Sequence, residues 1–139
     1  MKLSSRTRYG MRAILELSME YGKKPMQIKM IAEHEDISSK YLEQLIAMLK
    51  MAGLVRSVRG PRGGYMLTRP PAEITLKEVF LTLDGPTVPA NCTEHAEFSP
   101  RCPDCAMRQV WQELQDSISV VLDAYTLADL MDKKATKKN

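Results

Sequence analysis

The stretch RGPRGG, residues 59–64, constrains more than any other what this chain can fold into. Three glycines and a proline within six residues favour a tight reversal, and short β-prone runs flank it, Leu54–Val58 before and Tyr65–Leu67 after. The segment is therefore expected to be a β-hairpin with Arg59 and Arg62 at its tip. Three helical patterns precede it. Three helices followed by a basic-tipped hairpin make a winged helix-turn-helix, and the order of elements carries that inference.

The first pattern covers residues 4–21, where serines offer caps and Ala13, Ile14, Leu17 and Tyr21 share one helical face. Gly22 and Pro25 interrupt it, and a shorter helix over 27–35 turns Ile28, Ile31 and Ala32 inward. In the third helix Ser38 is the expected N-cap and Gly53 the residue just past the end. Leu42, Leu45, Ile46 and Leu49 recur at i, i+3, i+4 and i+7, the spacing of a buried stripe. Lys40, Glu43, Gln44 and Ala47 fall on the opposite face.

Beyond the hairpin, Thr75 and Glu78 form a capping box that opens a helix to Leu83, and Asp84, Gly85 and Pro86 end it. A proline-broken segment without periodicity runs on to Cys105. From about Pro103 to Leu122 the pattern is helical again, with Val110, Leu114, Ile118, Val121 and Leu122 at threes and fours beside Trp111. A helix of about 20 residues spans about 30 Å, more than one small domain covers, so a second copy of the chain is the expected cover. Thr126 and Asp129 cap a last short helix, and the charged KKATKKN after it is expected to stay unfolded. The expected fold is mainly α with a small β-hairpin wing. Its parts are a winged helix-turn-helix domain (1–85), a cysteine-containing loop (86–105), a dimerisation helix with a short C-terminal helix (104–134) and a disordered tail (135–139).

Charge points to the partner. Residues 1–69 carry thirteen Lys/Arg against six Asp/Glu, a net +7, whereas residues 70–139 carry seven against eleven, a net −4. A basic front half suits a polyanion, and phosphate contacts supply most non-specific nucleic-acid affinity. If the third helix enters a major groove, Gln44 matches the donor–acceptor pair of adenine and Lys40 reaches guanine acceptors or a phosphate. Ser38 and Tyr41 suit phosphate contacts, and Glu43 acts in selectivity by accepting from cytosine or repelling the backbone. In the wing, Arg59 and Arg62 with Gly60 suit close approach to a narrow minor groove. No Ser/His/Asp set, phosphate-cradling glycine loop or paired acidic cleft is evident, so neither an enzyme nor a small-molecule substrate is expected. No apolar run is long enough for a bilayer and no signal peptide precedes MKLSSRTRYG, so no membrane association is expected and the cytoplasm is the expected compartment.

All three cysteines, Cys92, Cys102 and Cys105, fall in the segment NCTEHAEFSPRCPDC. An odd count and a reducing compartment argue against a disulfide framework. Cys92 and His95 followed by Cys102 and Cys105 give C-x2-H and C-x2-C, a Cys₃His set that suits zinc. An iron–sulfur cluster suits the same thiolates. On chemistry both stay open, as does a thiol switch or a protein partner.

MKLSSRTRYGMRA at the start, ISSKYLEQL at 37–45 and GLVRSVRGPRGGYML at 53–67 closely resemble the IscR/NsrR/CymR family of bacterial winged-helix regulators, most of all its IscR-type members. Similarity continues through ITLKEVF, the cysteine segment, W-x-x-L and YTLADL, nearly the whole chain. The resemblance implies a homodimeric repressor or activator whose long C-terminal helices pair and which binds a palindromic operator in double-stranded DNA. It also implies that Cys92, Cys102 and Cys105 ligate an iron–sulfur cluster, 2Fe–2S ahead of 4Fe–4S, with zinc as the alternative. The cysteine spacing, C-x9-C-x2-C, is shifted from that of many relatives. Arg108 stands where IscR-type members have a histidine ligand, and Arg8 where NsrR-type members have an aspartate. His95 is the best local fourth ligand, an exposed loop histidine and an open fourth site being the alternatives.

Overall fold

The computed structural model describes residues 3–86 and 106–137, with side chains as far as Lys134. The elements run α1 (Ser5–Met19), α2 (Ile28–Glu35), α3 (Ser39–Met51), β1 (Val55–Val58), β2 (Gly64–Leu67), a 3₁₀ turn (Pro71–Glu73), α4 (Leu76–Asp84), α5 (Ala106–Ala124) and α6 (Leu127–Lys137). The fold is mainly α with a two-stranded antiparallel hairpin, the winged-helix arrangement expected from the order of elements. The cysteine segment lies outside the described residues, as do Cys92, His95, Cys102 and Cys105 individually.

Local chemistry sets the helix starts. Ser4 Oγ accepts from the Thr7 amide, Ser38 Oγ from the Tyr41 amide, and Thr75 with Glu78 closes a reciprocal capping box. One core joins the helices, drawn from Ala13, Ile14 and Leu17 of α1, Ile31 of α2, Leu42, Leu45, Ile46 and Leu49 of α3, and Val79 and Leu83 of α4. α1 approaches α4 closely because position 10 is glycine. A Cβ there would lie 2.5 Å from Leu83 Cδ1, too near for any side chain. Tyr21 departs from expectation: α1 ends at Met19, Glu20 caps it, and the Tyr21 ring stays exposed past the last turn. Glu20 has already left helical geometry, at φ −101° and ψ 5°, and Gly22 at φ +79° continues the turn after Tyr21.

The wing pairs Val55 with Leu67, Arg56 with Met66, Ser57 with Tyr65 and Val58 with Gly64. A single-residue bridge joins it that no periodicity announced. Met26 bridges Tyr65 in both directions, its amide donating to the Tyr65 carbonyl at 3.0 Å and its carbonyl accepting from the Tyr65 amide at 2.8 Å. Gly64 makes this possible. It sits at φ +154°, and a Cβ there would run into the Met26 carbonyl.

The C-terminal half folds back onto the first helices. The Leu76 amide donates to the Tyr125 carbonyl and the Leu127 amide to the Ile74 carbonyl, each at 3.0 Å, and Leu127 is fully buried. Thr126 and Asp129 cap α6, as their spacing predicts. α6 continues to Lys137, so residues 135–137 are helical where an unfolded tail is expected. Lys and Ala are good helix formers, and lysines in a last turn suit the helix dipole.

Lys134 Nζ donates to Glu16 Oε1 at 2.9 Å, and His34 Nδ1 lies 3.4 Å from Glu16 Oε2, so one carboxylate ties α6, α1 and α2 together. Burial alone would push the Glu16 carboxyl up, but Lys134 and then His34 outweigh it and hold it below its ordinary value of 4.5. A carboxylate with a lowered folded value contributes stability above its unfolded value and loses it as pH falls through the folded one. Glu16→Gln is therefore expected to lower the denaturation midpoint at neutral pH. Its deficit against the parent protein should shrink as pH drops below about 4.5, measured by urea titration at several pH values.

Candidate nucleic-acid interface

α3 is held by one face and offers the other. Leu42, Leu45, Ile46 and Leu49 are at most 1% exposed, while Lys40, Glu43, Gln44 and Ala47 are exposed on the outer face. Lys40 and Glu43 stand three residues apart without an ion pair, so neither charge is spent on the other. Ser38 is exposed and its oxygen accepts the Tyr41 amide at 3.1 Å, leaving its hydroxyl proton to donate outward. Tyr41 is half-buried. Its ring meets Tyr9 of α1 edge-on, centroids 6.1 Å apart and planes at 83°, which braces the start of α3 against the first helix.

The wing is fixed to the same helix. Lys50 Nζ, in the last turn of α3, donates to Ser57 Oγ of β1 at 3.1 Å, and the Leu54 amide donates to the Leu49 carbonyl at 3.0 Å. Two turns of chain further, the Gly63 amide donates to the Gly60 carbonyl at 3.0 Å and closes the tip. Gly60 takes φ +110°, and a Cβ at Gly63 would collide with the Val58 carbonyl, so the tip needs its glycines. Arg59 and Arg62 are exposed on that tip. Sequence reasoning found the tip but missed its ties to α3, since a lysine and a serine seven residues apart carry no pattern.

Ion pairing sets some cations of the described residues apart from the rest. Arg6, Arg12, Arg69, Lys77 and Lys134 are paired with Asp84, Glu35, Glu78, Asp123 and Glu16 at 2.9–3.8 Å, around the core and the C-terminal half. Among the described residues Lys40, Arg59 and Arg62 have no carboxylate within reach, and neither do Lys23, Lys24, Lys29 and Arg108. The two unpaired arginines of the wing tip, beside Lys40 on α3, suit a polyanion.

α5 presents a different surface. None of its residues is buried, and Met107, Val110, Val120 and Val121 are 45%, 47%, 67% and 56% exposed. Ser117, Ile118, Val121 and Leu122 border a shallow apolar groove of about 270 Å³. Arg108 is half-buried near the start of α5, and Arg8 is exposed with its guanidinium 5.8 Å from the Tyr9 ring centre. Among the described residues no group of three His, Cys, Asp or Glu side chains could hold a metal ion. No helix among them is long and apolar enough to cross a membrane.

A family model described as Rrf2, iron-dependent transcriptional regulator, matches residues 3–133. The chain belongs to the Rrf2 family. It is 39% identical to the Rrf2 protein of Nitratidesulfovibrio vulgaris over 140 residues, covering all of this chain and 93% of that one. It is equally identical to the HTH-type transcriptional regulator CymR of Bacillus subtilis over 130 residues, 94% of this chain and 89% of CymR. The structure of B. subtilis CymR, the global cysteine regulator, superposes with a TM-score of 0.81 over 96% of this chain and 98% of that one, at 37% identity. That of T. potens IscR gives 0.80 over 96% and 88%, also at 37% identity. As an Rrf2-family member the chain is a DNA-binding transcription regulator.

Proposed function

We propose that this chain is a homodimeric regulator that reads a palindromic operator with α3 and the wing, under the control of an iron–sulfur cluster held by Cys92, Cys102 and Cys105. The observation that carries the DNA reading is the uncompensated face of α3 beside an uncompensated wing tip. Gln44 and Lys40 contact base edges, Ser38 and Tyr41 contact phosphates, and Arg59, Gly60 and Arg62 follow the minor groove. Glu43 rejects sequences that place a phosphate or another acceptor against it.

The uncovered apolar side of α5 supports the second copy. Two such helices laid together would remove Val110, Ile118, Val121 and Leu122 from water and set the distance between two recognition helices. The cytoplasm, with its reduced thiols, is the compartment this reading requires.

The donor set fits a metal centre. Three cysteine thiolates within fourteen residues suit an iron–sulfur cluster, and His95 adds a fourth donor of the right type. When bound, such a group supplies a centre whose integrity depends on iron, sulfide and oxidants. The cysteines stand between α4, which is packed on the DNA-binding core, and α5. Holding them together would restrict the connection between recognition surface and dimer helix, and so appear as a coupling free energy on DNA affinity. A second reading has specific support in the C-x2-H and C-x2-C spacing and in the likeness to a cysteine regulator: zinc on the same four residues, or a thiol or protein-partner switch.

Three outcomes test these statements. Gln44→Ala is expected to cost about 1–3 kcal/mol of operator affinity and to relax selectivity at one base pair, measured by fluorescence anisotropy on an operator recovered from a random pool and its single-base variants. Val121→Asp is expected to shift the protein from dimer to monomer in sedimentation velocity while leaving its helical circular dichroism intact. Protein purified without oxygen is expected to absorb in the visible and to contain iron and sulfide, both absent from the triple alanine variant of Cys92, Cys102 and Cys105. Zinc in place of iron would favour the second reading, and a colourless, metal-free protein with full operator affinity would sink the cluster.

A further inference from the structure

The turn between α1 and α2 carries two lysines that the interface above does not use. Lys23 and Lys24 are exposed, and neither has a carboxylate partner among the described residues. They do not project into open space. With Gln27, Pro61, Arg62 and Gly63 they border a cleft of about 560 Å³ between this turn and the wing tip. The lining of that cleft contains three cations, an amide side chain and no acid.

The backbone holds the two walls in register. Gly22 at φ +79° and the Lys23 amide donating to the Glu20 carbonyl at 3.0 Å define the turn. Two residues beyond Lys24, the Met26–Tyr65 bridge fastens the turn to β2, directly below Gly63 and Arg62. Gln27 lies next in the chain, and its side chain makes no capping bond to α2, so its amide remains able to donate into the cleft.

The neighbouring cavity supplies the contrast. About 630 Å³ in volume, it is lined by Glu16, Glu20 and Glu35 as well as by His34 and Lys134, and its charges are satisfied among themselves at Glu16. Lys24 lies on the boundary between the two and pairs with none of those acids. Evolving three like charges into one cleft costs self-repulsion that a ligand of opposite charge relieves.

We infer that the Lys23–Lys24 turn and Arg62 form a phosphate-binding shelf, a third contact element that grips the phosphodiester backbone of the duplex beside the wing. The inference rests on the DNA reading of α3 and the wing and extends their footprint. Such contacts position the protein and carry no sequence information. Each phosphate neutralised adds about 0.9 to the steepness with which log affinity falls against log salt concentration.

The test is the double variant Lys23→Gln/Lys24→Gln, compared with the parent and with Lys23→Arg/Lys24→Arg, on an operator recovered from a random pool and on a mixed-sequence duplex. Both lysines are exposed, and unchanged circular dichroism and melting would confirm the fold. The glutamine variant is expected to flatten the salt dependence by up to about 1.8 per protomer, equivalent to roughly 10–60-fold weaker binding near 0.1 M salt, by similar factors on both duplexes. The arginine variant is expected to retain the parent's slope. A parent that binds neither duplex would overturn the DNA reading and the shelf with it. A parent that binds, with a glutamine variant of unchanged slope or one weakened on the operator alone, overturns the shelf and leaves that reading standing. Saturable binding of inorganic phosphate without DNA, abolished by the glutamine substitutions, would assign the cleft to a free anion instead.

Discussion

Four side chains of α3 fix how its outer face is presented. Leu42, Leu45, Ile46 and Leu49 are sealed against α1, α2 and α4, each contributing about 1.5–3 kcal/mol of hydrophobic stabilisation. Because a helix face spans one side of a cylinder, sealing that stripe determines where Lys40, Glu43, Gln44 and Ala47 must look. The wing inherits its place from the same helix through the Leu49 carbonyl and the Lys50 ammonium. A recognition surface made of two elements thus depends on one anchored helix. Its relative geometry is set by packing before any ligand arrives, which limits what binding must spend on ordering.

The elements that could be read from the chain are those whose signal is periodic or local. The α3 stripe, the Ser38 cap, the Thr75–Glu78 capping box and the glycine-rich tip each occupy a few neighbouring residues and recur in the structure where expected. Contacts between distant single residues left no such trace. The Met26–Tyr65 bridge joins one residue to another 39 positions away, and its only local sign is a glycine at 64 that a hairpin already explained. Tyr21 continues the apolar period of α1, but the helix ends at Met19 and Glu20 caps it, so the aromatic falls one residue past the cap. The length of α6 was underestimated because charge density was read as disorder, whereas Lys134 finds Glu16, 118 positions earlier. Of the candidate site, the face of α3 and the wing tip were legible; the Tyr9–Tyr41 brace, the Lys50–Ser57 tie and the Lys23–Lys24 wall of the cleft were not.

Charge pairing sorts the basic residues in a way that composition cannot. A net charge of +3 is unremarkable for 139 residues, and even the +7 of the first half does not say where it acts. Ion pairing removes Arg6, Arg12 and Arg69 from that total as far as a distant polyanion is concerned, since each faces a carboxylate within 3.8 Å. Exposed pairs of this kind add little stability. Their larger effect is on the field, because neutralising charge at these positions leaves α3, the wing and the α1–α2 turn a larger share of what remains. Polyanion affinity and non-binding surface are then two outcomes of one arrangement of acids.

The path from the cysteine segment to the recognition surface is short at its N-terminal end. α4 ends at Asp84, seven residues before the segment begins, and Asp84 pairs with Arg6 of α1 while Leu83 occupies the space that Gly10 leaves open. A change in the direction of the chain leaving α4 therefore bears on the close approach of Leu83 to Gly10. At its C-terminal end the segment enters α5, whose far end is tied back by the Tyr125 and Leu127 hydrogen bonds to α4 and to Ile74. Both ends of the segment thus meet α4, one through chain continuity and the other through the α5–α6 junction. α4 packs on α3 within the same core. On the proposed reading, a metal centre bonded to the cysteines would bear on DNA affinity through α4, the helix that packs against both α1 and α3, as well as through the spacing of the two copies.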